Sequence, residues 1–569
     1  MKPALRIILF IILLIDEKEY LFCKTMQRKV KFMYQYITLK SALLLIVTCL
    51  FFQLKAQNPY VSAILPMEGQ AQVLATKKSD QFLAIGFGIR ERVVFSFGNS
   101  IVPKGRQDII IWIQNRTTNQ VSVIQFSNAD EALVSDMEIN EHNGSLLVCG
   151  SFWDSLEVLG HTYRLSEGNK GLFIASIDLA TSTVGWVKIL DGNSSKTAAG
   201  LCTFPDGRIA ITGFFSSGIL RLEQALFLES LQSATFALIL ESTGQWLMFK
   251  IMAEGLDVRP GSCLCSHEQL VIAGQYRGII DFGEIIREGR IQDFELFVAA
   301  YEISNEIDSK WVSTGRGVLD KSVRGLAKGE GKSFIVAGEI AGNMVFENGF
   351  ALRSRGSLSD AFMLVIDESG APVVGWVWSN SGVFTGSELY FQEGVAGFSG
   401  TFDGVMDVGD QSLWSPSGSR SGILFKVDLS TSEVIAEMIQ VEGLATYLAT
   451  KNDSYWILNL RGMSSFRGLA NDVGSLFKTI IFEFENGTST EEHPVALPLE
   501  VYPNPCTTGI WFSIDIIEVW LLDYAGNVVK QKFHPRGYLD FSSLPSGNYV
   551  LAGLDQNGHL SIAKVLKIQ

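Results

Sequence analysis

Histidine is scarce, with six in 569 residues. That leaves little material for metal coordination or for acid–base chemistry near neutral pH. Only His142, His161 and His267 fall in the middle of the chain. None sits at an H-E-x-x-H or other ligand spacing, and all three are expected in solvated turns. Proline is also sparse, at 14 residues against 54 glycines and 37 phenylalanines, which points to many short strands joined by turns. Basic side chains are in deficit, 46 against 60 acidic ones, a formal net charge of −14. A nucleic-acid partner needs a basic surface, so none is expected. No stretch carries convincing helical periodicity, and no apolar run after residue 56 is long enough for a transmembrane helix. A G-x-S-x-G nucleophile elbow and a phosphate-binding loop are both missing. Asp403, Asp407 and Asp410 cluster without calcium-loop spacing. No catalytic residue, cofactor site or metal site is assigned.

What is present is a globular balance, 47% hydrophobic and 19% charged. The chain opens with two apolar stretches. Ile7–Ile15 is too short to span a bilayer. Ala42–Phe52 follows Lys40 and is followed by Leu54-Lys55-Ala56, the layout of a secretory signal peptide with cleavage after Ala56. Met33 begins a complete signal by itself, so the true start is expected there. Removing residues 1–56 takes away nine basic and three acidic side chains and leaves a net charge of −20.

The middle of the chain repeats. An apolar run ending in glycine recurs at Gly86, Gly150, Gly213, Gly274 and Gly338, more weakly at Gly400, with Leu458 in a seventh copy. Successive spacings are 64, 63, 61, 64, 62 and 58 residues. In step with this anchor comes a phrase that opens with phenylalanine and closes with an acid: Phe173–Asp178, Phe236–Glu241, Phe297–Glu302, Phe362–Asp367. A tryptophan follows each (Trp186, Trp246, Trp311, Trp376). Each unit reads as four strands, and a four-stranded unit repeated radially is a β-propeller blade. The acids are expected to stabilise turns, and these four tryptophans to pack between blades. Trp153, Trp378 and Trp414 lie outside the pattern and are the candidates for exposed contacts. The seventh copy lacks a fourth strand, and Tyr60–Met67 precedes the first full unit as an orphan strand, so that strand is expected to complete the last blade beside Leu476–Phe484. Five cysteines follow residue 56. Cys202 and Cys263 each lie eleven residues before their anchors in adjacent units and form the candidate cross-blade pair, although equivalent positions on neighbouring blades are often too far apart to bridge.

The units resemble the bacterial β-propeller repeat family described as seven-bladed, and the resemblance covers most of residues 59–484. Residues 486–497 read as a polar linker. The last segment, 498–569, reads as a small all-β unit with the layout of a minimal sandwich. It is similar to the C-terminal sorting domain of the type IX secretion system of Bacteroidetes-type bacteria. The matching residues are Tyr502-Pro503-Asn504-Pro505, then Asp523 and Gly526 in "DYAGNVV", then Leu544, Gly547 and Tyr549 in "LPSGNYVL", then Lys564 and Lys567 in "KVLK". Cys506 departs from the family's small or polar residue.

The expected architecture is therefore all-β: residues 1–56 as signal region, 57–485 as a seven-bladed β-propeller, 486–497 as linker, and 498–569 as an Ig-like β-sandwich sorting domain. The resemblance implies a secreted or cell-surface protein whose partner is the type IX secretion machinery. The propeller is expected to act as a non-catalytic module binding an unidentified extracellular protein or glycan. The alternative is a secreted hydrolase or lyase acting on polysaccharide or peptide.

Overall fold

The computed structural model describes the backbone of most of residues 62–567 apart from short gaps, and side chains for most of 71–440 and for scattered positions from 506 onward. The signal region and residues 486–496 of the linker lie outside the described residues. The described residues are all-β and contain no α-helix; none forms a helix long and apolar enough to cross a membrane.

The chain advances by four-stranded antiparallel meanders. The first is Ala71–Lys78, Phe82–Ile89, Asp108–Asn115 and Val121–Asn128, each strand paired with the next. The fifth is Lys321–Lys328, Phe334–Ile340, Asp360–Ile366 and Pro372–Trp378. In the fifth meander the second and third strands are buried on both faces: every residue of Phe334–Ile340 and Asp360–Ile366 is buried. That explains why their sequences are continuous apolar runs rather than alternating ones. The buried residues form clusters that span neighbouring meanders, as where Phe334 and Phe362 of the fifth share a core with Val298 and Trp311 of the fourth.

The anchor glycine has a steric cause. The first strands of the first six meanders bulge where they pass the anchor, as at Val134/Asp136, Ala198/Gly200, Pro260/Ser262 and Val323/Gly325, whereas Gly443–Ala449, opposite Leu458, pairs without a shift. At Gly150, Gly213, Gly274, Gly338 and Gly400 the bulge drives a carbonyl onto the glycine, whereas a Cβ at Gly86 would meet only side chains, at 3.4 Å. A Cβ at Gly274 would lie 2.5 Å from the Arg259 carbonyl oxygen, and one at Gly400 would lie 2.6 Å from that of Thr385. No other residue type leaves room for that approach.

The two ends of the repeat region meet. Gly443–Ala449, Asp453–Leu460 and Lys478–Glu485 form three strands, and Ser62–Glu68 adds the fourth, with Ile64 opposite Ile481 and Met67 opposite Thr479. The first strands also touch one another in cyclic order. Ala71–Lys78 contacts Ala132–Asn140, which contacts Lys196–Thr203, then Trp246–Ser266, Lys321–Lys328, Phe384–Gln392 and Gly443–Ala449, which returns to Ala71–Lys78. One connection differs from the rest: Trp246–Ser266 runs unbroken for 21 residues and serves as fourth strand of the third meander and first strand of the fourth.

The C-terminal strands form two sheets. One contains Leu497–Pro498, Ile516–Leu522, Val528–Phe533, Gly547–Asp555 and Leu560–Lys567; the other contains Val501–Tyr502, Gly509–Phe512 and Tyr538–Asp540. They share a core of Cys506, Ile510, Val519, Leu521, Leu539, Phe541, Tyr549, Leu551 and Val565.

Candidate functional site

The first strands carry charged side chains that break the repeat. Lys77 comes from the first meander, Asp136 and Glu138 from the second, and Glu388 from the sixth. Asp136 and Glu388 both lie at bulges, where an extra residue re-aims the side chains around it. Lys77 Nζ lies 2.5 Å from Glu138 Oε2, and the two side chains keep 34% and 20% of their exposure. Asp136 accepts hydrogen bonds from the Leu201 N–H of the third meander at 2.7 Å and from the Met137 N–H at 2.8 Å. Glu388 shares the electrostatic field of Lys77, Asp136 and Glu138.

Three carboxyls and one ammonium in a confined space cannot all keep their ordinary titration. Burial pushes Asp136 up to about 6, against the pull of Lys77 and the Leu201 N–H. Burial pushes Glu388 up to about 7, reinforced by Asp136 and Glu138 and opposed by Lys77. Burial works against the charge on Lys77, but Glu138, Glu388 and Asp136 outweigh it and hold the ammonium above its ordinary value. The cluster therefore changes charge near neutral pH while its lysine stays protonated. Such a site can attract cationic or hydrogen-bond-donating groups and can exchange a proton. Among the described residues no group of three or more His, Cys, Asp or Glu is placed to hold a metal ion. Sequence reasoning missed this cluster because it followed what repeats. The available signal was the opposite one: ionisable residues in first strands at positions that neighbouring units do not share.

The repeated candidates sit elsewhere. Asp178 Oδ1 accepts the Thr181 N–H at 2.7 Å, Asp367 Oδ1 accepts the Ser369 and Ala371 N–H groups at 2.9 Å, and Asp428 Oδ1 accepts the Ser430 N–H at 2.8 Å. The Thr181 N–H on Asp178, and on Asp367 and Asp428 chiefly the Ser369 and Ser430 hydroxyls that donate at 2.6 Å, hold all three carboxyls below their ordinary range, and with the backbone bonds they fix the turn after the third strand. Trp186 stacks against Gly244 and donates to the Ser242 carbonyl at 3.2 Å, and Trp311 stacks against Gly370, in each case the turn of the next meander. Trp376 joins the core shared by the fifth and sixth meanders. Trp246 departs from the expectation of one common place. It follows its phenylalanine by ten residues instead of 13 or 14, lies opposite Leu240, and turns to the core shared with the preceding meander.

Three further expectations are corrected. Trp378 is 3% exposed and stacks on Phe425 at 4.0 Å, so it is interior; Trp153 is half-buried beneath the Lys170 ammonium, and only Trp414, at 58%, is an open surface. His161 is exposed but opens the strand His161–Arg164 rather than occupying a turn. Cys202 pairs with Cys265, not Cys263, across a Cα separation of 5.5 Å. Gly200 lies against Cys263, so the residue two further on faces Cys265. Cys149, Cys263 and Cys506 are free and buried. Burial pushes the Cys263 thiol up to about 12 and makes it unreactive.

Of the sorting-motif residues, Pro503, Asn504, Pro505, Asp523 and Gly526 lie outside the described residues. Tyr502 pairs with Trp511, and Gly547 pairs with Lys567. Tyr549 is buried, donates to the Pro545 carbonyl at 2.8 Å, and meets Phe541 edge-on at 5.7 Å. Leu544 packs on the same core, and Lys567 is 7% exposed. Lys564 pairs with Val550 in the last strand.

No family model and no curated protein matches the sequence. Among solved structures, the chain is similar to an acylaminoacyl peptidase of Pyrococcus horikoshii, at 9% identity and a TM-score of 0.37, over 81% of this chain and 58% of that one. It spans little more than half of that peptidase. It is similar to the endosialidase of phage phi92 at 8% identity and a TM-score of 0.34, over 89% and 87% of the two chains. The quinohemoprotein alcohol dehydrogenase of Comamonas testosteroni matches at 8% identity and a TM-score of 0.33, over 76% and 78%.

Proposed function

We propose that this chain is a secreted or surface-exposed seven-bladed β-propeller that binds an extracellular protein or glycan without chemistry of its own. Supporting the seven blades are the cyclic contact of first strands and the completion of the last meander by Ser62–Glu68. Export rests on the signal-like residues 42–56 and on the resemblance of 498–569, with its Ig-like layout, to a type IX sorting domain. The observation that carries the binding role is the convergence of Lys77, Asp136, Glu138 and Glu388 from three blades. Repeated positions spread evenly around a ring, whereas a ligand site needs residues that meet. The test is a glycan-array and pull-down screen with the exported protein beside the Asp136→Asn/Glu388→Gln variant. A ligand captured equally by both removes the cluster from the site.

A second reading, a hydrolase acting on polysaccharide or peptide, is favoured by one specific feature. Asp136 and Glu388 carry carboxyls poised near neutral pH, as general acids and bases require. Turnover in a hydrolase panel that Glu388→Gln abolishes would replace the binding role with this one.

A further inference from the structure

Exposed apolar side chains are distributed unevenly over the meanders. In an antiparallel meander the connection from second to third strand and the passage from the fourth strand to the next first strand leave at the same end. Among the described residues of the first six meanders, every exposed large apolar side chain except Val373 and Ile435 lies at that end. The opposite end holds the turns capped by Asp178, Asp367 and Asp428. The apolar residues are densest from the third to the fifth meander, where Phe227, Leu231, Leu256, Ile279, Ile286 and Ile291 are each between 48% and 90% exposed. They adjoin one another. A Cβ at Gly278 would meet Leu256 at 3.4 Å and Ile291 at 3.9 Å. Ile279 and Ile286 share one face of a hairpin, in which Ile279 lies opposite Glu288 and Asp281 opposite Ile286. Ser233, two residues after Leu231, lies opposite Gly255, the neighbour of Leu256. Arg287 reaches Glu347 of the fifth meander at 3.1 Å, two residues after the exposed Val345. Soluble proteins expose large apolar residues singly, and a contiguous strip of them marks a contact surface.

The chemistry of the strip decides its occupant. It is aliphatic apart from Phe227, whereas a sugar ring packs its C–H face on aromatic rings. Its charges fall in two blocks. Glu284 and Glu288 on the fourth meander's hairpin, and Arg353 and Arg355 on the fifth's, are exposed and have no ion-pair partner among the described residues. Arg353 shares a hairpin face with Val345, because Asn343 lies opposite Arg353 and Val345 opposite Ala351. The acids would meet the anionic head groups of a lipid surface, which disfavours a membrane. A two-fold interface presents the same patch from both sides, so each block of charge can meet the other across the axis. Each chain carries a formal charge of −14, and association therefore needs such local pairing of opposite charges. We propose that a second copy of this chain covers the strip, in a two-fold arrangement that packs the aliphatic residues of both copies together and sets Glu284 and Glu288 of each against Arg353 and Arg355 of the other. The exposed basic side chains at this end of the third to fifth meanders are arginines, and Lys321 is buried, a composition that interfaces favour. The surface uses no residue of the Lys77 cluster and stands whether or not that cluster binds a ligand.

The experiment is sedimentation velocity of the full exported chain over a range of concentrations, beside three variants. These are Ile279→Lys/Ile291→Lys, Glu284→Arg/Glu288→Arg, and the second combined with Arg353→Glu/Arg355→Glu. The expected result is a concentration-dependent dimer that the isoleucine pair abolishes. The acid pair should weaken it about tenfold or more by facing like charges, and the combined exchange should restore it. All six positions are exposed, and thermal melts check that each variant is folded; should the isoleucine pair not fold, the loss and rescue in the charge exchanges decide. A full-length chain that stays monomeric at every concentration overturns the proposal. So does a dimer that the isoleucine pair leaves intact, or one that the combined exchange does not rescue. Binding to phosphatidylcholine–phosphatidylglycerol vesicles that the isoleucine pair removes, with no dimer in solution, assigns the strip to a membrane and overturns it too. Asp136→Asn/Glu388→Gln should leave the dimer unchanged, so failure of the cluster as a ligand site is read separately from failure of this surface.

Discussion

At the scale of single residues, the charged cluster makes stability depend on pH in a direction that can be worked out. Asp136 and Glu388 titrate near 6 and 7 in the folded protein, above their ordinary values of about 4 in an unfolded chain. The folded state therefore holds their protons more tightly. The stability they contribute is complete below about pH 4 and is lost as pH rises through the folded values. The melting temperature should fall between pH 5 and pH 8, and Glu388→Gln should flatten the upper part of that fall while leaving the value at pH 4 unchanged. A slope identical in the variant would show that Glu388 is not part of it. Trp311 supplies a second residue-scale test. It is 9% exposed, against Phe334 and the Gly370 turn. Trp311→Ala should cost about 3–5 kcal/mol, typical of a buried aromatic. Calorimetry checks the loss, and ligand affinity of the folded variant should be unchanged.

Among elements, the first strands do most to organise the fold. They bulge at the anchor glycines, touch their neighbours and carry the cluster. Between the third and fourth meanders the contact is covalent, through Cys202 and Cys265, and the same boundary is crossed by the unbroken strand Trp246–Ser266. The bridge closes a sequence separation of 63 residues. Removing a bridge of that kind costs about 2–4 kcal/mol, mostly by releasing the unfolded chain. Cys202→Ala/Cys265→Ala should lower the denaturant midpoint accordingly, whereas Cys263→Ala should leave the bridge intact under non-reducing mass analysis. The anchor glycines, the turn-capping aspartates and three of the four tryptophans were legible in the sequence, because each answers to a local demand that recurs every 60-odd residues. Trp246 was not. Its place depends on strand register, and a shift by one residue reverses the face.

For the whole molecule, the meeting of the two ends is the feature most exposed to test. Ser62–Glu68 covers the edge of Lys478–Glu485, which would otherwise stand unpaired. Deleting residues 57–68 should leave the last three-stranded meander open and the protein prone to association, measured by light scattering and by amide exchange at 478–485. If the truncated chain associates no more than the full-length chain and its amides there stay protected, the closure adds nothing. Deleting residues 498–569 should leave the repeat region folded but retained inside the cell, if those residues direct export.

The repeat, its four-strand unit and the spare strand at one end were determined by sequence alone, because hydrophobic period, glycine spacing and turn chemistry are local and each copy restates the others. The partner of Cys202, the burial of Trp378 and the electrostatic coupling of Lys77 to Glu388 were decided only by tertiary structure. Each joins residues from different meanders, and their proximity depends on the stagger between neighbouring strands and the return of the chain to its start. Lys77 and Glu388 lie 311 positions apart along the chain, a separation that no local pattern can close; the cyclic packing of first strands closes it.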